Sequence, residues 1–332
     1  MGEIPTHVTC TPDSPYGRLR WEQVSLLLLA WQLGIKLLHL TSPMAPLLGD
    51  LLVLFSPCEF GIEINDWFDG DQTARDSGNF LSRLRRSLAR GGLEGFSRIL
   101  WPLDLPGVGS SGRLEGLPPI VPPKFKPGAD LDLQKVSARS KSSTKQLNTL
   151  KIPETFILYH GPFEKTDLEL LVESWKWAAD AIGDSYPPLL LGLEMSAAQD
   201  LSKLAAANDL RLNLRALPDV SPDALPALYQ RCSAVFHPAP ISPWCGPVRL
   251  AMACGKPLVA SETALIGAIV GPAAYLALPG DARSLGAALV TVIVEEQVAE
   301  SLSAAASQRS AKWRVSEFSE QLEKIYSKAF DS

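Results

Sequence analysis

Two histidines stand where the chain could carry chemistry. His160 follows the apolar run Phe156–Tyr159, and His237 ends the apolar run Ala234–His237. Imidazole changes its charge near neutral pH, so each side chain could contact a ligand or transfer a proton. The alternative is a histidine whose hydrogen bonds are satisfied at the edge of a sheet and which has no chemical role. The residues alone leave both interpretations open.

The cysteines and the overall charge exclude several classes of protein. Five cysteines lie far apart and form no Cys-x-x-Cys pair, which is neither a disulfide framework nor a zinc pattern. We therefore expect free thiols in a reducing cytoplasm. The segment Met1–Thr11 lacks the basic start and apolar run of a signal peptide. A net charge of −5 disfavours a dedicated nucleic-acid binder. The cysteines are Cys10, Cys58, Cys232, Cys245 and Cys254.

A basic helix is predicted over Phe80–Arg90. Its apolar residues share one face, and its arginines line the other side. Such a face can dock on anionic lipid, which would give the protein a peripheral position at the inner face of a membrane. A solvated helix that covers a sheet is the alternative interpretation. The arginines are Arg83, Arg85, Arg86 and Arg90.

The N-terminal half alternates between predicted helices and strands, which is typical of a parallel sheet with flanking helices. The stretch Val24–Leu40 is rich in leucine, but Gln32, Gly34 and Lys36 interrupt it. A membrane span needs about 20 apolar residues in a row, so a buried helix followed by a strand is the better interpretation. The predicted helix covers Arg20–Leu33, and the predicted strands are Ile35–Leu40, Leu51–Phe55, Gly61–Ile64 and Ile99–Leu103.

The stretch Pro102–Pro127 is dense in proline and glycine, and the polar stretch Ala129–Leu150 follows it. Together they predict a boundary between two domains. Beyond it, strands and helices alternate regularly, as in a doubly wound Rossmann-like sheet. The predicted strands are Phe156–Tyr159, Leu189–Gly192, Leu212–Arg215, Ala234–His237 and Pro257–Ala260. The predicted helices are Asp167–Ala181, Ala197–Ala207, Pro222–Arg231 and Val248–Ala253.

Several strings resemble the group 1, retaining glycosyltransferases of the GT-B architecture. The clearest are Leu225–Pro238 and Gly246–Ser261, which follow the family's "Leu-Pro-x-Leu-Tyr" and "Glu-Ala-Met-Ala-x-Gly-x-Pro-Val" patterns. Phe156–Trp175 is similar to the family's first strand, glycine turn and helix. The resemblance covers nearly all of residues 151–330 and is thinner before them.

This resemblance implies an α/β fold of two Rossmann-like domains that face each other across a cleft, with a shortened N-terminal domain. The acceptor-side domain would cover residues 1–127, and a linker would follow over 128–150. The nucleotide-sugar-binding domain would cover residues 151–315. The final helix, 316–332, would pack back toward the N-terminal domain.

The resemblance also implies a donor site, but this sequence departs from the family there. The family's arginine after the first strand is replaced by Pro162, and Lys165 matches its lysine. Ser242 and Leu250 stand where the family has two glutamates that hold the donor sugar and the ribose. Asn65 takes the place of a histidine, which leaves Asn65, His160 and His237 as candidate catalytic residues. Candidate donor contacts are Gly161, Lys165, Val220, Ser242, Trp244, Gly246, Pro247 and Leu250.

Two functions follow from the resemblance. The first is transfer of a sugar from a UDP- or GDP-linked donor to a glycan or lipid-linked acceptor, without a metal ion or other cofactor. The second is a catalytically inactive homologue that acts as a binding or partner subunit. A lost hydrogen bond to ribose at Leu250 would cost about 1–3 kcal/mol, or ~10- to 100-fold in affinity. A sugar-phosphate enzyme on the same fold, such as an epimerase, is a third and weaker interpretation.

Overall fold

The computed structural model is an α/β protein with two compact units. The first groups residues up to 117 with the C-terminal residues from 320, and the second covers residues 118–319. The structure describes residues 17, 20–41, 52–56, 96–105, 114–128, 152–193, 195–207, 215–217, 220, 222–239, 244 and 246–331.

The first unit contains a parallel sheet of four strands within its described residues. A π-helical turn, Trp21–Ser25, leads into helix α1, Leu26–Gln32, which ends before Gly34 at a φ of 65°. The positions of this helix and of strands β1, β2 and β3, given next, confirm the predicted helix and three of the predicted strands. The strands, in sheet order, are β1 Leu37–Leu40, β2 Leu52–Phe55, β3 Arg98–Pro102 and β4 Leu114–Leu117.

Strand β4 was not expected, because its four residues lie within the proline- and glycine-rich stretch that predicts a boundary. It pairs in parallel with β3, and Leu114 and Leu117 are buried while Glu115 and Gly116 are half-buried. Two apolar residues are too short a signal to recognise from periodicity. The predicted elements Gly61–Ile64 and Phe80–Arg90, and most of the predicted linker 128–150, lie outside the described residues.

The second unit contains a six-stranded parallel sheet among its described residues, in the order β10-β9-β8-β5-β6-β7. The strands β5, β6, β8 and β9 are buried along their whole length, as expected for a parallel sheet covered by helices on both faces. The strands are β5 Ile157–Tyr159, β6 Pro188–Leu191, β7 Arg215–Leu217, β8 Ala234–His237, β9 Leu258–Ser261 and β10 Tyr275–Ala277.

The helices of the second unit confirm those predicted between residues 165 and 253, with ends that differ by a few residues. Three helices after β9 were not predicted. Two of them begin at strong N-caps, because Thr263 accepts from the Ile266 N–H and Asp281 accepts from the Arg283 and Ser284 N–H groups. The helices are α2 Lys165–Ile182, α3 Met195–Ala207, α4 Leu225–Arg231, α5 Gly246–Ala253, α6 Ala264–Val270, α7 Ala282–Val294, α8 Glu296–Ser310 and α9 Val315–Asp331.

The second unit begins earlier than the predicted boundary at residue 127, and the contacts of segment 118–128 explain why. Lys124 Nζ lies 2.6 Å from Asp223 Oδ1. Gln230 Nε2 donates to the backbone oxygens of Lys124 and Lys126, at 3.3 and 3.0 Å. The ring of Phe125 packs edge-on to Tyr229, with centroids 5.7 Å apart. These contacts attach the segment to α4.

His39 lies in β1 of the first unit and is held by two hydrogen bonds. Its Nδ1 lies 2.8 Å from the Tyr326 hydroxyl, and its Nε2 lies 2.7 Å from Ser56 Oγ. Both ring nitrogens are therefore engaged within this unit. Among the residues that the structure covers, no helix has the length and apolar content needed to cross a membrane.

Candidate functional site

The order in which the chain adds strands to the sheet of the second unit reverses between β5 and β8. The chain runs outward from β5 through β6 to β7, then returns to β5's other side and continues through β8, β9 and β10. In open α/β sheets, ligands bind beyond the carboxyl ends of the strands at such a switch point. The residues that end β5 and β8 are therefore the first candidates for a site.

The strand register brings the two histidines level at this switch point. Ile157 pairs with Ala234 and Leu158 with Val235, so two further positions along each strand align His160 with His237. They are close enough for the charge of His160 to lower the pKa of His237. The sequence predicts that both histidines follow strands, and the structure places them side by side.

His160 is held by a tyrosine that the sequence analysis did not single out. Its Nδ1 lies 2.9 Å from the hydroxyl of Tyr229, which is fully buried in α4, and the two rings meet at 62°. His160 is half-buried, and burial lowers its pKa. The structure records no hydrogen bond from any described residue to its Nε2. The signal for Tyr229 was present, because it lies within the Leu225–Pro238 string, but that string was interpreted as scaffold.

His237 is enclosed. Its side chain has no exposed surface, and neither ring nitrogen has a hydrogen-bond partner among the described residues. Burial, followed by the nearby His160, lowers its pKa to about 4, so the ring is neutral at pH 7. The next residue, Pro238, accepts a hydrogen bond from the buried Ser261 Oγ at 2.5 Å. This geometry makes His237 an interior residue of the site, without a surface for a ligand.

The turn after β5 is tied to the strand by its own backbone. Gly161 has a φ of 61°, and the Gly161–Pro162 peptide bond is cis. The Tyr159 hydroxyl donates to the Pro162 oxygen, and the Tyr159 ring packs against Phe163 with centroids 5.4 Å apart. Burial and the nearby Asp167 carboxylate raise the pKa of Tyr159, which keeps its hydroxyl protonated. Pro162, at the position where the resemblance implies an arginine, has no side-chain hydrogen-bond donor.

The N-terminus of α2 is closed by carboxylates. Glu164 is the N-cap: its side chain accepts from the Asp167 backbone N–H, and the Asp167 side chain accepts from the Glu164 N–H at 3.2 Å. This capping box uses the N–H groups that would otherwise bind an anion. Lys165 Nζ lies 3.8 Å from Glu169, and its side chain is 78% exposed. The two acids therefore oppose an anionic ligand at this helix end.

Helix α5 follows β8 and carries three candidate donor contacts. Gly246 is exposed, and Pro247 and Leu250 are half-buried. The neighbouring Arg249 was not predicted to matter, yet it is 2% exposed and its guanidinium carbon lies 5.0 Å from the centre of the Trp313 ring. Trp244 packs edge-on against Phe318, with centroids 6.5 Å apart. These aromatic contacts anchor the start of α5 within the second unit.

The remaining candidates are Val220 and several residues that the structure does not describe. Val220 is half-buried. Asn65, Ser242 and the arginines Arg83, Arg85, Arg86 and Arg90 lie outside the described residues. Within the described ranges, no three His, Cys, Asp or Glu side chains are placed to hold a metal ion.

A doubly wound sheet with a site at its switch point, joined to a second parallel α/β unit, defines a protein of the GT-B class. The sequence profile described as "Glycosyl transferases group 1" matches residues 142–309, which is just over half of the chain. The chain therefore belongs to the group 1 glycosyltransferase family. No curated protein sequence matches it significantly.

Solved structures show the same fold at low sequence identity. Sucrose-phosphate synthase from Thermosynechococcus elongatus has a TM-score of 0.66 at 19% identity, and the alignment covers 92% of this chain and 76% of that one. HepE from Anabaena, solved with UDP and glucose, has a TM-score of 0.64 at 15% identity, covering 98% and 86%. WaaG, a glycosyltransferase involved in lipopolysaccharide biosynthesis, has a TM-score of 0.69 at 13% identity, covering 98% and 88%.

Proposed function

We propose that this protein is a glycosyltransferase that takes a sugar from a UDP- or GDP-linked donor and transfers it, with retention, to a glycan or lipid-linked acceptor. The observation that supports this most is the switch point between β5 and β8, because open α/β sheets bind ligands at such a point. It lies within the part of the chain that matches the family. A related fold is known with UDP and glucose bound. The reaction would need no metal ion, because side chains and backbone N–H groups can stabilise the leaving diphosphate.

The donor site of this protein would be atypical. Pro162 and Leu250 offer no charge or hydrogen bond to the donor. The carboxylates of Glu164 and Asp167 occupy the N-terminus of α2. These features also favour a second function, in which a catalytically inactive homologue serves as a binding or partner subunit. The peripheral membrane contact through the arginines near residue 85, and a cytoplasmic location, are further parts of the proposal.

Calorimetric titration with UDP, GDP and ADP, followed by donor hydrolysis and transfer assays, separates the two functions. Micromolar binding with turnover of the sugar-linked donor is the result that we expect for the transferase. Binding without turnover, across acceptors and donors, supports the inactive homologue. Failure of all three nucleotides to bind would overturn the proposal of a nucleotide-sugar-dependent enzyme.

Restoring the family's acids provides a second test. The double variant Ser242→Glu with Leu250→Glu supplies two acceptors for sugar and ribose hydroxyls, so nucleotide affinity should rise about tenfold or more. The matched control is Ser301→Glu, which adds a carboxylate at an exposed position of α8. An unchanged affinity in the double variant, with its thermal unfolding intact, would mean that the nucleotide does not contact these positions.

A further inference from the structure

The described residues that directly follow β5 and β8, up to Lys165 and Ala239, include one cationic side chain, that of Lys165, so a neutral hydrogen-bond donor there becomes relevant to holding a diphosphate. Position 162 is a proline, and Lys165 lies beside Glu169 with most of its side chain in solvent. Among the described residues that end β5 and β8, His160 is the polar side chain that is only half-buried. His237 is fully enclosed.

The hydrogen bond to Tyr229 bears on which nitrogen of His160 carries the proton. The Tyr229 side chain has no exposed surface, so its hydroxyl makes its hydrogen bonds within the protein. His160 Nδ1 lies at hydrogen-bonding distance, 2.9 Å from that hydroxyl. A neutral imidazole that accepts at Nδ1 carries its proton on Nε2. Burial lowers the pKa of His160, which is consistent with the neutral form.

The other ring nitrogen of His160, Nε2, has no hydrogen-bond partner among the described residues. The extended register places this ring at the carboxyl end of β5, beside β8. An N–H group at that position can donate to an oxygen of a ligand bound beyond the strands.

We propose that His160 donates through Nε2–H to a phosphate oxygen of the nucleotide donor, and that Tyr229 is the positioning residue that fixes this tautomer. This inference rests on the proposed function, and it assigns to His160 the hydrogen bond that the family's arginine would have made. His160 is then a binding residue for the leaving group, and no proton transfer to the substrate is needed.

Titration calorimetry with UDP, UMP and uridine tests the contact. His160→Leu removes the donor and should weaken UDP at least about tenfold, while uridine binding changes less than about twofold. His160→Gln retains an amide N–H near the same position and should recover most of the affinity. Thermal unfolding of each variant shows whether it is folded. If His160→Leu binds UDP as tightly as the wild type, the inference is wrong although the proposed function stands.

Nitrogen-15 spectra of the histidine rings test the positioning role separately. The wild type should show His160 protonated at Nε2 and bare at Nδ1. Tyr229→Phe keeps the ring that packs on Phe125 and removes the hydroxyl, so the His160 signals should shift toward a mixture of tautomers, with weaker UDP binding. A wild-type ring protonated at Nδ1, or a spectrum that Tyr229→Phe leaves unchanged, would overturn the positioning role. If the wild type binds no nucleotide, both the proposed function and this inference fail.

Discussion

The buried histidine at the end of β8 should make the stability of the protein depend on pH. His237 has a folded-state pKa of about 4, against 6.5 when it is solvated. As pH falls below about 6.5, the unfolded chain therefore binds a proton that the folded chain does not. This shifts the equilibrium toward the unfolded state, so stability is present above pH 6.5 and is lost as pH falls toward 4.

The size of the effect follows from that difference in pKa. Each pKa unit corresponds to about 1.4 kcal/mol, so the full loss is about 3 kcal/mol below pH 4. Between pH 7 and pH 5, linkage gives a loss of about 2 kcal/mol from this group alone. That amount is a considerable fraction of the roughly 5–15 kcal/mol that stabilises a typical protein.

The variant His237→Leu isolates this contribution. Leucine has a similar volume, and removing two unpartnered ring nitrogens loses no hydrogen bond, so stability at pH 7 should be unchanged or higher. Urea unfolding at pH 7 and pH 5, with hydrogen exchange to follow the second unit, gives the free energy of unfolding of both proteins. The wild type should lose about 2 kcal/mol more than the variant over this interval.

Two outcomes would refute the reasoning. If wild type and variant lose stability in parallel between pH 7 and pH 5, His237 is not the group that titrates. If His237→Leu costs more than about 2 kcal/mol at pH 7, the ring nitrogens make hydrogen bonds in solution that their isolation in the structure does not show. His160, which stays in place in the variant, also has a lowered pKa, so its own loss of stability at low pH is present in both proteins.

Three further stability predictions can be checked by urea titration. Gly286→Ala should cost at least about 2 kcal/mol, because a Cβ there would lie 2.5 Å from the backbone oxygen of Ser174, where α7 packs on α2. The matched control is Gly267→Ala, where an added Cβ would meet nothing within 4 Å and stability should rise by about 0.5–1 kcal/mol. Asp281→Ala removes the N-cap of α7 and should cost about 1 kcal/mol. Arg309→Ala should cost about 1–3 kcal/mol, because its guanidinium donates to two carbonyl oxygens at the end of α6.

The sequence predicts strands well where they are buried on both faces. The runs around Leu158 and Val235 are continuous and apolar, and their positions agree with the structure to within one or two residues. It fails at β4, where buried Leu114 and Leu117 enclose two half-buried residues among prolines and glycines. The difference is physical, because two buried leucines among prolines and glycines carry too little hydrophobic pattern to distinguish a strand from a loop.

The candidate site is predictable in part, for a related reason. Strand order places His160 and His237 at the switch point, and both could be found by asking which polar residues follow strands. Tyr229 could not be found in this way, because its contact with His160 joins positions 69 residues apart along the chain. The capping box at α2 was missed as well, because glutamate is not a preferred N-cap residue.

Burial explains how the strings that match the family can be recognised in this chain even with the atypical donor site that we propose. Val248, Ala251 and Met252 in α5 have no exposed surface, and truncating a large side chain at such a position costs about 2–5 kcal/mol. Leu250 lies in the same helix but is half-buried, so a change there costs less stability. Selection for a folded protein therefore maintains the strings from which the family is recognised, whether or not a nucleotide still binds. Only residues that touch the ligand, as we propose for His160, can report on activity, which is why the nucleotide titrations carry more weight than further sequence similarity.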